Sequence, residues 1–281
     1  MSGLSQTPRV LSIAGSDSGG GAGIQADLKA FARCGVHGCT AITAITAQNT
    51  LGVSAIHPIP PAIVLAQVEA VLEDIGVDAV KVGMLGDSTT IRAVAQALDR
   101  LPPGTPVVVD PVMIAESGAQ LLDPDARGAL IAEILPRATV LTPNLPEARA
   151  LAHSHAGGGD AREGSELEAH QLLAAVLALG PDIVVLTGGH RTQAVDLLLD
   201  SAAADQIVSI PGERHQDGAS HGSGCTHSSV LAAQLALGCT PVQAAQIARA
   251  LAGTAVAGGL RDIGHGPGPV DVLDLPVLRS R

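Results

Sequence analysis

The sequence predicts an α/β fold with a mainly parallel central sheet and helices on both faces. Two observations carry this prediction. Short runs of Val, Ile, Leu and Ala alternate along the chain with amphipathic patterns of helical period. Such continuous apolar runs are typical of strands buried on both faces, as in a parallel sheet covered by helices. With 281 residues, the chain is long enough for one domain of this kind with a substantial core.

The elements follow in order from these two patterns. Six buried strands are predicted at Val10–Ala14, Ala41–Ala47, Ala79–Gly83, Val107–Asp110, Thr139–Thr142 and Ile183–Thr187. Helices are predicted between them at Ile24–Cys34, Pro61–Ile75, Ser88–Leu101, Pro124–Leu135, Leu145–Ala152 and Glu166–Leu179. Pro61 suits a first helical turn, because its fixed φ matches the helix and its missing N–H is not needed there.

After the sixth strand the pattern changes. Ala194–Leu199 and Gln206–Ile210 predict an antiparallel hairpin. Two closing helices are predicted at about Gly224–Leu237 and Pro241–Gly258. The segment His153–Gly164 is Gly-rich and polar, which is typical of a surface loop. With no repeat and no linker, we expect a single domain over residues 1–281, in which residues 1–8 form a disordered tail.

Composition and charge favour a cytoplasmic protein that acts on small molecules. The formal net charge is −11 and there is no cluster of Lys and Arg, so nucleic-acid binding is not expected. No apolar run has the length of a membrane span, and the polar start Met1–Arg9 is unlike a signal peptide. We expect free thiols at Cys34, Cys39 and Cys239, because the cysteines form no paired metal-binding pattern.

A Gly-rich segment, Gly15–Gly23, follows the first strand and opens a helix. It is not a P-loop, because Gly21 and Ala22 stand where Lys and Ser or Thr are required. No register of its glycines matches the dinucleotide fingerprint GxGxxG. Five glycines in nine residues exceed what a simple strand-to-helix turn needs. We therefore interpret the segment as a loop that brings its backbone close to a ligand.

A second Gly-rich segment, His221–Thr226, starts the first of the closing helices. The first turn of a helix has N–H groups without acceptors and a partial positive charge, so Gly222, Ser223 and Gly224 predict an anion site. The same field is expected to stabilise a thiolate at Cys225. His221 and His227 flank this cysteine and leave a Cys/His pair or a metal site open, although zinc is disfavoured without further thiols.

Other polar residues stand at the ends of predicted strands, where open α/β sheets bind ligands. For these a structural role competes: Gln48 with Asn49 in a turn, and Asp110 as an ordinary strand end. Asp27 lies instead in the first turns of the helix predicted at Ile24–Cys34, where a solvated carboxylate is common. Asn144 and Glu147 fit a helix cap as well as the orientation of waters on Mg²⁺. The segment Thr187–His190 again allows close backbone approach, and His190 is either a phosphate ligand or a loop residue.

Seven motifs in this order resemble the bacterial hydroxymethylpyrimidine/phosphomethylpyrimidine kinases of thiamine biosynthesis, a branch of the ribokinase-like enzymes. They are Ala14–Asp17, Gly21–Asp27, Thr46–Thr50, Lys81–Leu85, Asp110–Met113, Thr142–Ala148 and His221–Thr226. The resemblance extends from about Val10 to about Val270. It implies a three-layer α/β/α fold and a homodimer. It also implies ATP and Mg²⁺, with transfer of the γ-phosphate to 4-amino-5-hydroxymethyl-2-methylpyrimidine and then to its monophosphate.

The resemblance also implies roles for particular residues. Gln48 is similar to the family's pyrimidine-binding glutamine, and Asp110 and Glu147 are similar to the acidic residues that organise Mg²⁺. Gly222 to Cys225 resembles the family's anion hole, with Cys225 as general base. The pyrimidine pocket is expected to include Gly15, Asp27, Met84 and Val112, and the nucleotide site Asn144, Thr187, Gly189 and His190.

The chain departs from the family pattern at Thr187, where the family usually has lysine. Either Arg191 or His190 supplies the missing phosphate charge, or the affinity for the nucleotide is weaker. The loop His153–Gly164 is also longer than usual. Two other functions remain open. Pyridoxal or pyridoxine kinase has a similar substrate, a hydroxymethyl group on a heteroaromatic ring. A non-catalytic pyrimidine-binding sensor is the second, and the missing lysine is its best support.

Overall fold

The computed structural model describes residues 7–115, 118–152, 166–190, 194–215 and 219–276, with only the backbone at His190. Nine strands occur in this part of the chain: β1 Arg9–Asp17, β2 His37–Asn49, β3 Gly52–Pro58, β4 Ala79–Val82, β5 Val107–Val109, β6 Val140–Leu141, β7 Ile183–Leu186, β8 Val195–Asp200 and β9 Ile207–Pro211. They form one sheet in the order β3-β2-β1-β4-β5-β6-β7-β8-β9. The six strands from β2 to β7 in that order are parallel, and β3, β8 and β9 are antiparallel to their neighbours.

The α-helices of the described residues are α1 Gly23–Cys34, α2 Pro61–Asp74, α3 Ser88–Leu98, α4 Arg127–Ala129, α5 Leu145–Ala152, α6 Glu166–Leu177, α7 Ser223–Ala236 and α8 Pro241–Ala257. Two apolar cores pack them against opposite faces of the sheet. One core contains Val64 of α2, Ile91 of α3 and Leu173 of α6. The other contains Phe31 of α1 and Val230 of α7, together with Ala244 and Ala248 of α8. The predicted three-layer α/β/α fold is therefore confirmed.

Alternation along each strand divides its side chains between the two cores. In β4, Val80 and Val82 belong to the core beneath α2, α3 and α6, whereas Ala79 belongs to the core beneath α1, α7 and α8. Because the six parallel strands run in one direction, their carboxyl ends lie along one edge of the sheet. That edge is where the polar strand-end residues meet. No helix in the described ranges is long and apolar enough to cross a membrane.

The six predicted buried strands are confirmed. Their ends differ from the prediction by three residues or fewer, except that β2 starts at His37 and not at Ala41. The predicted hairpin is the antiparallel pair of β8 and β9. Strand β3 was not predicted. It lies at the edge of the sheet with the residues from Ser54 to Pro58 exposed, so it has no buried apolar run to mark it. The search for continuous apolar runs, which predicted the buried strands, does not detect an exposed edge strand.

The helix predicted at Pro124–Leu135 is instead a mixture of short turns. A 3₁₀ turn at Pro124–Ala126 leads into α4, a π-helical stretch at Leu130–Ile134 and a second 3₁₀ turn at Leu135–Arg137. Gly128 lies inside this segment and Pro136 near its end, and both residues weaken regular helical hydrogen bonding. Leu130, Ile131 and Ile134 are buried. Their apolar spacing has a helical period, and for this reason the pattern predicted one continuous helix.

The predicted tail and the predicted surface loop fall mostly outside the structure. Residues 1–6 and the whole of 153–164 are not among the described residues. The end of the predicted tail is ordered, because the carbonyl oxygen of Pro8 accepts a hydrogen bond from the N–H of His37 at 2.8 Å. The four cysteines are free thiols, as expected for three of them, and Cys225 belongs to the site described next.

Candidate active site

A cavity of about 440 Å³ lies at the edge formed by the carboxyl ends of the parallel strands. Its walls come from the loops after these strands and from the start of α7. The cavity brings together thirteen residues that the sequence singled out from seven separate segments: Gly15, Gln48, Met84, Asp110, Val112, Asn144, Glu147, Thr187, Gly189, Gly222, Ser223, Gly224 and Cys225. For His190, the side chain lies outside the described part of the chain.

Asp27 is not in the cavity wall, although we expected it in the pyrimidine pocket. Its carboxylate is fully buried and lies within 2.9 Å of the Lys81 ammonium. The hydroxyls of Ser12 and Ser229 donate to the same carboxylate at 2.6 and 2.7 Å. With these three donors, Asp27 is neither the solvated carboxylate of a helix start nor exposed to a ligand. It joins β1, α1, β4 and α7 beneath the cavity floor.

Lys81 is the buried cation of this floor and also lines the cavity. Burial lowers the pKa of Lys81, but the charge and hydrogen bond of Asp27 and the charge of Asp110 outweigh it and hold the pKa above its ordinary value. The ammonium is therefore charged throughout the physiological range. Sequence reasoning gave Lys81 no role, although a lysine inside an otherwise apolar strand is a signal that such a partner exists.

The predicted anion site has the expected backbone. Gly222 is the N-cap of α7 and adopts φ +82°, a conformation that favours glycine. A Cβ atom at Gly222 would also overlap the carbonyl oxygen of Gly21 in the other Gly-rich loop. The N–H groups of Gly224 and Cys225 belong to the first turn, where a helix has no internal acceptors for them. The turn from Gly222 to Cys225, called the anion turn below, is thus formed by backbone that tolerates no bulk at its first residue.

Cys225 lies in the cavity, but its thiol does not have the low pKa that its position at a helix start predicted. Burial raises the pKa of Cys225 to about 12, and the charges of Asp110 and Asp27 act in the same direction. Lys81 and a hydrogen bond from the N–H of Gly23 act against this rise without overcoming it. The free protein therefore holds a neutral thiol at pH 7, and the expectation of a stabilised thiolate is wrong for this state.

Two carboxyl groups face the cavity near the anion turn. Burial and the neighbouring Asp110 raise the pKa of Glu147 to about 8. Burial also raises the pKa of Asp110 against the opposing charge of Lys81 and a 3.0 Å hydrogen bond from Ser228. Asn144 and Glu147 form a reciprocal cap, with 2.9 Å bonds from each backbone N–H to the other side chain, so the predicted helix cap is present.

The donor set of Asp110 and Glu147 fits Mg²⁺. Mg²⁺ is typically bound by one or two carboxylates together with water and substrate phosphates. Among the described residues there is no group of three or more His, Cys, Asp or Glu side chains that could hold a metal by itself. Both carboxyl groups have a raised pKa, and the charge of Asp110 raises that of Glu147, which is an arrangement that a divalent cation relieves.

Asp196 organises the other end of the cavity, next to Thr187. Its carboxylate accepts the N–H of Gly188 at 2.7 Å and lies 3.1 Å from His227 Nε2 and 3.8 Å from Arg249 Nε. Burial raises the pKa of Asp196, but His227, Arg249 and the Gly188 N–H outweigh it and hold the pKa below its ordinary value. Sequence reasoning missed Asp196, although an aspartate among buried leucines is a visible signal. His227 pairs with it and not with Cys225.

Comparison with known proteins identifies relatives over nearly the whole chain. A family model described as "Phosphomethylpyrimidine kinase" matches residues 17–271. A hydroxymethylpyrimidine/phosphomethylpyrimidine kinase of Rhizobium meliloti (strain 1021) is 47% identical over 267 residues, which cover 94% of this chain and 96% of that protein.

Solved structures agree with this result. A pyridoxal kinase from Staphylococcus aureus, solved with AMP-PCP and pyridoxal, has a TM-score of 0.83 at 32% identity, over 95% of this chain and 94% of that one. A phosphomethylpyrimidine kinase from Clostridium difficile 630 has a TM-score of 0.73 at 38% identity, over 86% of this chain and 96% of that one. Proteins of this fold therefore include a pyridoxal kinase and a phosphomethylpyrimidine kinase.

Proposed function

Because the chain belongs to the phosphomethylpyrimidine kinase family, we propose that its cavity phosphorylates 4-amino-5-hydroxymethyl-2-methylpyrimidine, and then its monophosphate, with ATP. The observation that carries the mechanism is the arrangement of the cavity. It joins the Gly-rich loop and Gln48 on one side to the anion turn, Asp110 and Glu147 on the other. An acceptor alcohol and a phosphate-binding helix start thus share one space, as phosphoryl transfer requires.

In this mechanism, Gln48 holds the pyrimidine, with Gly15, Met84 and Val112 around the ring. The backbone N–H groups of the anion turn donate to the oxygens of the transferred phosphoryl group and stabilise the charge that they carry. Asn144, Thr187, Gly189 and His190 bind the nucleotide. Asp110 and Glu147 would hold Mg²⁺, which supplies neutralisation of phosphate charge when it is bound.

Cys225 is the proposed acceptor of the alcohol proton. The alcohol oxygen forms a bond to phosphorus, the bond from phosphorus to the leaving oxygen of ADP breaks, and the proton passes to the sulfur. This role needs the thiolate, which the free protein disfavours at neutral pH because of the raised pKa of Cys225. We therefore expect kcat/KM to rise with pH through the alkaline range. Cys225→Ala is expected to lower kcat by roughly 10² or more with KM little changed.

Product analysis tests the proposal. The protein is incubated with the pyrimidine alcohol, ATP and Mg²⁺, and the mono- and diphosphates are separated by chromatography; both are expected. Binding of the alcohol without any turnover would instead support the pyrimidine-binding sensor. In the same assay, Cys225→Ala reports on the base, and an unchanged kcat would remove Cys225 from the mechanism.

Pyridoxal kinase is the second candidate, and the similarity to the Staphylococcus aureus enzyme favours it. The two functions are separated by kcat/KM for the pyrimidine alcohol and for pyridoxal under the same conditions. We expect the pyrimidine to be preferred. A preference for pyridoxal of tenfold, which corresponds to about 1.4 kcal/mol, would reverse the assignment.

Family membership also supports a homodimer in the cytoplasm as part of this proposal. Light scattering on the purified protein measures the oligomeric state, and a monomer at micromolar concentration would contradict the dimer.

A further inference from the structure

Asp17 and His221 form a buried contact between the two Gly-rich loops. His221 Nε2 lies 2.9 Å from Asp17 Oδ2, and the two residues are 204 positions apart in the sequence. Asp17 is 1% exposed and His221 is 8% exposed, and both line the cavity. The sequence analysis gave Asp17 no role and left His221 as a candidate partner of Cys225 or metal ligand, whereas the structure pairs His221 with Asp17.

The Asp17 carboxylate also holds the first Gly-rich loop in shape. It accepts hydrogen bonds from the N–H groups of Gly19 at 2.7 Å, Gly21 at 3.0 Å and Ala22 at 2.8 Å. Burial raises the pKa of Asp17, but His221 and the N–H groups of Ala22 and Gly19 outweigh it and hold the pKa below its ordinary value. One carboxylate therefore fixes both the fold of the loop and its link to His221.

His221 immediately precedes the anion turn and is held on two further sides. Its carbonyl oxygen accepts the N–H of Val270 at 3.1 Å, so the segment after α8 supports it. A Cβ atom on Gly21 would overlap the His221 ring, and one on Gly222 would overlap Gly21 O. The two loops are packed backbone against backbone, and the Asp17–His221 bond joins them at that contact.

We propose that Asp17 and His221 are a positioning pair that holds the anion turn in register with the Gly-rich loop, and thus the phosphoryl group in register with the acceptor alcohol. The inference rests on the proposed function, because it takes Gly222–Cys225 as the phosphate-binding turn. The pair acts through the backbone of both loops and not by contact with reacting atoms. Loss of alignment by about 1 Å costs on the order of 10² in rate, which sets the scale of the expected effect.

The test compares Asp17→Asn, His221→Leu, His221→Gln and the double variant Asp17→Asn/His221→Leu. We expect Asp17→Asn and His221→Leu each to lower kcat by about 10², with both KM values changed by less than about threefold. His221→Gln retains an N–H donor near the position of Nε2 and is expected to keep kcat within about tenfold of the wild type. The double variant should be no slower than the slower single variant, because residues that act as one unit are not additive.

Asp78→Asn is the matched control. Asp78 also accepts three hydrogen bonds, all from Arg9, but at the opposite end of the sheet. Thermal unfolding of all variants gives the loss of stability. A purely structural role predicts that Asp17→Asn and Asp78→Asn lose activity only in proportion to folded protein. A second readout is the ratio of ATP hydrolysis to alcohol phosphorylation. It should rise in Asp17→Asn and His221→Leu but not in Asp78→Asn, because misalignment exposes the phosphoryl group to water.

Three results would overturn the pair: kcat of Asp17→Asn within threefold of the wild type, additive losses in the double variant, or equal kcat for His221→Leu and His221→Gln. If Asp17→Asn does not fold, the comparison at His221 decides. If the wild type phosphorylates neither the pyrimidine alcohol nor pyridoxal, the proposed function fails. The pair is then tested separately, by the binding of inorganic phosphate at the anion turn. Phosphate should protect Cys225 from iodoacetamide in the wild type but not in His221→Leu, and equal protection would refute the pair.

Discussion

At the scale of single residues, Cys225 shows that burial can raise the pKa of a thiol even where a helix N-terminus favours the thiolate. The N–H groups of the first turn favour an anion, yet the half-buried thiol lies in a cavity wall that it shares with the carboxyl group of Asp110. Burial is the larger effect, and it raises the pKa of Cys225 to about 12. A sequence shows which turn a cysteine occupies. It does not show how much water or how many negative charges surround the sulfur after folding.

We predict slow, strongly pH-dependent alkylation of Cys225. The thiolate is the reactive form, so the rate should rise about tenfold per pH unit from pH 7 to pH 10. Iodoacetamide labelling followed by peptide mass spectrometry measures the rate at Cys225 separately from the other three cysteines. A rate that reaches a plateau near pH 8 would show that the thiolate is stabilised after all.

Glu147 gives a pH dependence of stability with a definite sign. Its pKa is about 8 in the folded protein and about 4.5 without the fold. Between these values the folded state binds more protons than the unfolded state, so stability falls as pH rises from about 4.5 to 8. Urea denaturation of the Mg²⁺-free protein at pH 5 and pH 8 measures this fall, and Glu147→Gln should reduce it.

Glu73→Gln is the control for that measurement, because Glu73 is exposed on α2 and far from the cavity in the fold. It should leave the fall in stability unchanged. An equal slope in the wild type and in Glu147→Gln would contradict the raised pKa. The aspartates with lowered pKa, such as Asp17 and Asp196, lose their contribution only below about pH 4, outside this window.

At the scale of elements, the start of α7 distinguishes two glycines that the sequence presents as equivalent. Gly222→Ala should destabilise the protein, by about 1–3 kcal/mol from the left-handed backbone alone, and more from overlap with Gly21 O. Gly224→Ala should instead stabilise the helix by up to about 1 kcal/mol, because Ala replaces Gly inside it. The nearest atom to a Cβ at Gly224 is Asp110 Oδ2 at 4.0 Å.

In Gly224→Ala, we expect activity and stability to change in opposite directions. The added methyl group in Gly224→Ala lies in the cavity and crowds the phosphate site, so we expect kcat/KM to fall by tenfold or more in a more stable protein. Thermal unfolding and steady-state kinetics on the same samples measure both effects. A Gly224→Ala variant with full activity would show that no ligand approaches this part of the anion turn.

The elements also show where sequence patterns are informative. Buried strands such as β1 and β7 were predicted because short, continuous apolar runs are typical of strands covered on both faces. Strand β3 was missed because its exposed residues have no such pattern. Cavity residues such as Gln48, Asp110 and Asn144 were found because a polar residue follows a predicted strand, whereas Met84 and Val112 came from the family resemblance. Asp196, Asp17 and Lys81 were not assigned roles, because their partners His227, His221 and Asp27 are brought close only by the folded topology.

At the scale of the whole molecule, one sheet serves both apolar cores. Alternate residues of the same strand, such as Ala79 and Val80, belong to different cores, so neither core can be lost while the other keeps its strands. We therefore expect a single cooperative unfolding transition for the whole chain. Differential scanning calorimetry should give one peak whose van't Hoff and calorimetric enthalpies agree. Two resolved peaks would contradict the prediction that the chain is a single domain.

The ion pair beneath the cavity has a consequence for the history of this protein. Replacing only Asp27 or only Lys81 strands a charge away from water, at a cost of about 3–5 kcal/mol, which is a large share of the stability of a typical domain. We therefore expect the ion pair to be lost in evolution only when both positions change together. Mutational drift at the two sites is therefore coupled, and a library randomised at both should recover charged pairs or fully apolar pairs and few mixtures.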